Sequence, residues 1–176
     1  LNRYRHSMDR IFHWIAALFR LDEAGWQRHA NPWSVWTRVA IWPALVAALW
    51  SIQWIGWWAA LPLAAIALWA FINPRAFPAP VSTRSWASRG VLGERIYLAR
   101  AQRPIPDHHR VAAQWLAGTG AAGSAVMLAG LVLASPMLFV AGAITAFLAK
   151  MWFIDRMVRL FDDMAREFRE YALWLR

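Results

Sequence analysis

Two long apolar runs, residues 39–72 and 111–149, alternate with three segments, 3–38, 75–110 and 150–176, that together hold every Lys and Arg of the chain. A helix crosses the hydrocarbon layer of a bilayer in about 20 residues, so each run is too long for one crossing. The runs are continuously apolar rather than alternating, which excludes a membrane β-barrel and leaves helices, whose backbone groups are satisfied within the segment. The pattern predicts an all-α integral membrane protein with four transmembrane helices arranged as two hairpins. In the first hairpin (31–72), Asn31-Pro32 supplies a cap residue and a proline at the first helical position. Helix one then covers 32–51, the turn lies at 53–56, and helix two covers 57–72, stopping before Asn73-Pro74. Pro43 and Pro62 are expected to kink these helices. In the second hairpin (107–154), helix three covers 107–134 with Asp107 as N-cap. Ser135-Pro136 makes the turn, and helix four starts at Pro136 and runs past Lys150.

Outside the runs the period remains helical. Tyr4, Met8, Ile11, Ile15 and Leu18 make one apolar face, with Arg3, His6, Arg10, His13 and Arg20 opposite. This predicts a basic amphipathic helix lying at the membrane interface within residues 1–30. In the C-terminal segment (155–176), Ile154, Met157, Phe161, Met164, Phe168, Tyr171 and Leu175 follow a 3-4 spacing, the seam of an amphipathic helix that extends helix four. Asp155/Arg159, Arg159/Asp163, Asp162/Arg166 and Arg166/Glu170 are expected to pair at i,i+4. The seam has two outlets. It packs on the N-terminal helix or central loop of the same chain, or it docks another subunit through Met157, Phe161, Met164, Phe168, Tyr171 and Leu175. The central loop (73–106) opens with Pro74, Pro78 and Pro80, which favour an extended path. Gly90 and Gly93 bracket Val91-Leu92, and a short helix is expected over 94–102.

Composition agrees with the pattern. The chain is 60% hydrophobic and 16% charged, whereas soluble domains are about 45–50% apolar and about 25% charged. The absence of Cys excludes disulfides, thiolate zinc sites and iron–sulfur clusters. A net charge of +9 would suit nucleic acid, but long uncharged runs have no use there, and no nucleic-acid partner is expected. The turns at 51–56 and 134–136 carry no Lys or Arg. The positive-inside rule therefore puts both termini and the central loop in the cytoplasm, in a bacterial or archaeal cytoplasmic membrane. Trp50, Trp54, Trp57 and Trp58 cluster at the far turn, while Trp33 and Trp36 lie at the basic end with Arg38, which is expected to snorkel to the headgroups. These seven residues are the expected membrane anchors.

Chemistry is sparse. Gly118-Thr119-Gly120-Ala121-Ala122-Gly123 matches the dinucleotide fingerprint, but it lies in an apolar helix with no preceding strand. Gly118, Gly120 and Gly123 are instead expected to pack closely on helix four near Gly142. The spans hold no Asp, Glu or His away from their basic ends, which argues against a proton-coupled pathway. His29, Glu94, Asp107, His108 and His109 are weak metal candidates without a ligand spacing; adjacent His108 and His109 would diverge by about 100° on a helix. No catalytic constellation stands out.

The most distinctive string is His29-Ala30-Asn31-Pro32-Trp33-Ser34-Val35-Trp36-Thr37-Arg38, followed after a Pro-rich segment by Trp86 and by Gly93-Glu94-Arg95. Over residues 26–98 the chain resembles a family of small prokaryotic multi-span membrane proteins with an H-A-N-P-x-S-x-W-T-R motif before the first span. The resemblance implies a membrane protein and no particular activity. The expected function is a non-catalytic accessory subunit of a larger membrane complex, of the photosynthetic or respiratory kind, with other membrane subunits and phospholipids as partners. Two alternatives stand beside it: a membrane enzyme or metal protein using the His/carboxylate set, and a small transporter or lipid-binding protein. No cofactor is expected; bound lipids are, and pigment or metal stays open.

Overall fold

The computed structural model describes residues 23–176; the apolar face from Tyr4 to Leu18 of the interfacial helix expected within residues 1–30 lies outside them. The described chain is helical throughout its regular structure: α1 (Glu23–His29), α2 (Pro32–Trp50), α3 (Ile52–Ile55), a 3-10 turn (Gly56–Ala59), α4 (Ala60–Ala76), α5 (Trp86–Leu98), α6 (Asp107–Val132), α7 (Pro136–Glu167) and α8 (Arg169–Ala172). Among the described residues, three helical runs are long and apolar enough to cross a membrane: Pro32–Ala76, Asp107–Val132 and Pro136–Glu167.

The first run folds back on itself. Ser34 Oγ donates to Asn73 Oδ1 at 2.7 Å, across 39 positions of sequence, and Asn73 Nδ2 donates to Thr37 Oγ1 at 2.8 Å. The reversal uses Gly56 at φ +57°, a left-handed conformation that glycine adopts without Cβ strain. α4 continues through Asn73-Pro74 to Ala76, past the expected stop at residue 72. Asn73 is fully buried, and its amide serves α2 rather than a turn. Pro62 falls in the first turn of α4, where its missing N–H has no partner to lose.

The α6–α7 turn falls where expected, with Ala134 at φ +49° and α7 starting at Pro136. Asp107 is not the cap of α6: it is the first helical residue, and its carboxylate accepts from Arg110 at 2.7 Å. The glycine expectation is corrected in part. A Cβ on Gly142 would lie 2.2 Å from Met127 N, and one on Gly123 would lie 2.7 Å from Ala146 N, so the two helices touch backbone to backbone there. Gly118 faces open space, and Gly120 has only an ordinary contact with Ala149. Gly130, not among the expected packing glycines, is as tight, 2.3 Å from Phe139 N.

The central segment holds one helix, α5, that starts earlier than expected and runs through both glycines. Ser85 caps it, its Oγ accepting from Ser88 N at 3.1 Å. α5 lies on α7 and covers the seam. Ile96, Met157, Leu160, Phe161 and Met164 are at most 2% exposed and form the core at the basic end with Leu92 and Tyr171. Met157, Phe161, Met164 and Tyr171 are thus spent inside the chain, a correction to their expected role as subunit-docking residues. Phe168 is half-buried beside the same core. The seam also breaks: Phe168 leaves the helical conformation at φ −121°, ψ 111°, and Leu175 lies beyond it, partly exposed.

Three of the four expected i,i+4 ion pairs give way to tertiary partners. Asp155 keeps Arg159 at 3.0 Å. Asp162 instead pairs with Arg89 at 2.8 Å, Asp163 with His109 at 2.9 Å, and Glu170 with Arg103. Arg89, on α5, and His109, on α6, both clamp onto α7.

Candidate functional site

The motif before α2 is a set of side chains that fix one arginine. Asn31 Oδ1 accepts from Trp33 N at 2.9 Å, which caps α2, and Asn31 Nδ2 donates to Pro78 O at 2.9 Å. Ser34 and Thr37 bind Asn73, tying the start of α2 to the end of α4. One turn on, Arg38 Nε donates to Ser34 O at 3.0 Å, and its Nη1 lies 2.9 Å from His29 Nε2. An arginine only donates, so the imidazole accepts from it through a ring nitrogen and is neutral. Arg38 is therefore turned back towards the start of α2, held by Ser34 O and by His29.

Arg38 lines a cavity of about 140 Å³ between α2, α5 and α7. The other polar side chains on its wall are Glu94 and Lys150, and Val35, Val39, Trp42, Phe147 and Ile154 supply an apolar lining. Lys150 is solvent-exposed at the edge, with its ammonium 5.2 Å from the centroid of Phe153. Gly90 forms part of the wall, and Gly93 sets the depth: a Cβ there would lie 1.9 Å from Met157 O. This close approach of α5 to α7 puts Glu94 opposite Lys150. Trp36 and Trp86 stack at 5.6 Å between centroids and hold α2 to α5 beside the cavity. The two strings singled out in the sequence, 29–38 and 86–95, converge here.

Burial, reinforced by the charge of Arg38, holds the His29 imidazole at about 4 rather than 6.5. Burial opposes ionisation of Glu94, but the positive charge around it, Lys150 foremost, keeps it below the usual carboxylate range. The wall of the cavity thus brings Arg38, Lys150 and the Glu94 carboxylate together, with the neutral His29 imidazole against Arg38. The His29 shift has a measurable consequence. Between about 6.5 and 4 the unfolded chain holds a proton on His29 that the folded chain refuses, so stability falls as pH drops through that window. The melting temperature of the detergent-solubilised protein is expected to be lower at pH 5 than at pH 7, and His29→Gln is expected to reduce that difference. Glu94 loses its contribution only below about 4.5, and His109, which burial also holds below the usual imidazole value, supplies the rest of the slope, so a slope left unchanged by His29→Gln would contradict the assignment to His29.

The metal candidates do not form one set. His29 and Glu94 belong to the cavity region, whereas Asp107, His108 and His109 lie at the start of α6, where Asp107 is taken by Arg110. Of the expected anchors, Trp33, Trp36, Trp54, Trp57 and Trp58 are exposed. Trp50 is half-buried, 4.9 Å from Phe139 between centroids, and so also packs α2 on α7. Sequence reasoning missed Lys150, Trp42 and Asn73. Lys150 was read only as the end of a charge-free run; Asn73 carried a signal as the second Asn-Pro dipeptide of the chain.

No curated protein and no solved structure matches the chain. The profile of a family of unknown function, DUF6653, matches residues 10–173, which covers both α2, with its decapeptide, and the wall that α5 and α7 give the cavity. The chain belongs to that family, DUF6653.

Proposed function

We propose that this protein is a four-crossing membrane protein, with both termini in the cytoplasm of a bacterial or archaeal cell, that binds an amphiphile with an anionic head, a phospholipid, at the cytoplasmic headgroup level. The fold-back of Pro32–Ala76 supports counting that run as two crossings, and the basic segments support the orientation. The observation that carries the binding reading is the cavity: Arg38 and Lys150 on a wall that otherwise holds Glu94 and apolar side chains. A headgroup phosphate meets two cations there while acyl carbons meet Val39, Trp42, Phe147 and Ile154. Glu94 favours heads that also carry a hydroxyl or ammonium donor. The accessory-subunit reading leaned on the seam as a docking face; α5 now covers that seam, so lipid binding is the better supported role.

Each charged hydrogen bond to the phosphate is worth roughly 1.5–3 kcal/mol, about tenfold or more in affinity. In native mass spectrometry of the purified protein, phosphatidylglycerol is expected to be retained over an uncharged diacylglycerol. Arg38→Gln and Lys150→Gln are each expected to reduce that retention about tenfold. Equal retention of the two lipids, or unchanged retention in both variants, would refute the site.

A further inference from the structure

A second cluster lies apart from the cavity. At the start of α6, a ring nitrogen of His108, a ring nitrogen of His109 and a carboxylate oxygen of Asp163 on α7 all lie within 4.8 Å of one another. His109 is 1% exposed, with Nε2 2.9 Å from Asp163 Oδ2. Its Nδ1 is buried without a hydrogen-bond partner among the described residues. The two imidazole rings are 4.2 Å apart between centroids and tilted by 39°, so in the first turn of α6 they do not diverge as they would in mid-helix. We propose that His108, His109 and Asp163 bind a divalent transition-metal ion of the zinc type, which ties the start of α6 to the part of α7 beyond the apolar span.

The donor set fits. Two imidazoles and one carboxylate are the ligands of many open zinc sites, with water completing four-coordination. Ligand bonds of about 2.0–2.2 Å in a tetrahedron put ligand atoms about 3.4 Å apart. The His109–Asp163 contact needs to open by a few tenths of an ångström. His108 must swing inward, and as an exposed side chain it does so without disturbing the core. Asp163 turns its other oxygen, Oδ1, to Arg166 at 3.4 Å, which leaves Oδ2 for the ion. The positive end of the α6 dipole opposes a cation here; the Asp163 carboxylate offsets it, as does Asp107 at the helix start. The ion takes the place of the hydrogen bond between His109 and Asp163.

The test uses the full chain in detergent, stripped with a chelator and titrated with zinc chloride. One equivalent is expected to bind, with a rise in melting temperature. His108→Ala is expected to weaken binding about tenfold or more while changing the melting temperature of the metal-free protein far less than zinc does, because His108 is exposed and touches the core only through the ring of His109. Asp163→Asn is expected to weaken binding too. Absence of a zinc-dependent rise, or a rise that survives His108→Ala undiminished, would overturn the proposal.

Discussion

Gly93→Ala is expected to lower the melting temperature of the purified protein sharply and to weaken phospholipid retention with it. The added methyl would lie 1.9 Å from Met157 O and 3.1 Å from Met157 Cα. These are backbone atoms, so no rotamer change relieves the clash, and α5 and α7 must separate. Overpacking of this kind costs typically about 1–3 kcal/mol and occasionally more. Glu94 is the next residue, so the same separation draws its carboxylate away from Lys150 and reshapes the cavity wall. Gly118→Ala is the control. It faces open space, and alanine is the better helix former by up to about 1 kcal/mol, so stability is expected to hold or rise. Equal melting temperatures for the two variants would contradict the close approach of α5 to α7.

Ending the chain after Arg159 is expected to unfold the basic end rather than release a partner. The cut removes Leu160, Phe161 and Met164, each at most 1% exposed, and Tyr171. Truncating one large buried apolar side chain costs about 2–5 kcal/mol, and here several are lost together from the surface that covers α5. It also removes Asp162 and Asp163, the partners of Arg89 and His109. Limited proteolysis should cleave the 77–106 segment rapidly in the truncated protein and slowly in the full chain. If the seam were instead a subunit-docking face, the truncated protein would resist protease as before and lose only a copurifying subunit.

The 3-4 seam of the C-terminal helix was legible because its period is set by the helix itself. What covers it was not, because α5 contains Gly90 and Gly93, and glycine in a sequence reads as a breaker. In the structure those two positions are where α5 comes closest to α7. The charge pattern misled for a related reason. Spacing at i,i+4 predicts local pairs of a few tenths of a kcal/mol, and tertiary partners such as Arg89 outcompete them once a neighbouring helix is in place. Half of the cavity was visible in the decapeptide and in Glu94. Lys150, a span terminus in sequence, joins it only because α7 supplies the third wall of the cavity beside α2 and α5. The fingerprint glycines divided on the same ground: a helical pattern shows that Gly118 and Gly123 differ in direction, but not which of the two directions holds a neighbour.

α7 runs 32 residues without a break, about 48 Å at 1.5 Å per residue. Its first half packs on α6 through Gly142 and its second half carries the core under α5. One rod therefore belongs to two halves of the molecule, which cannot be exchanged as modules: a crossover within 142–164 would join surfaces that never fitted together. Changes in length are absorbed where no such rod passes, at the turns of 51–59 and 133–135 and in the short exposed stretch of 79–81. Those three joints are the places to attach a reporter, and the places where descendants of this chain are free to grow.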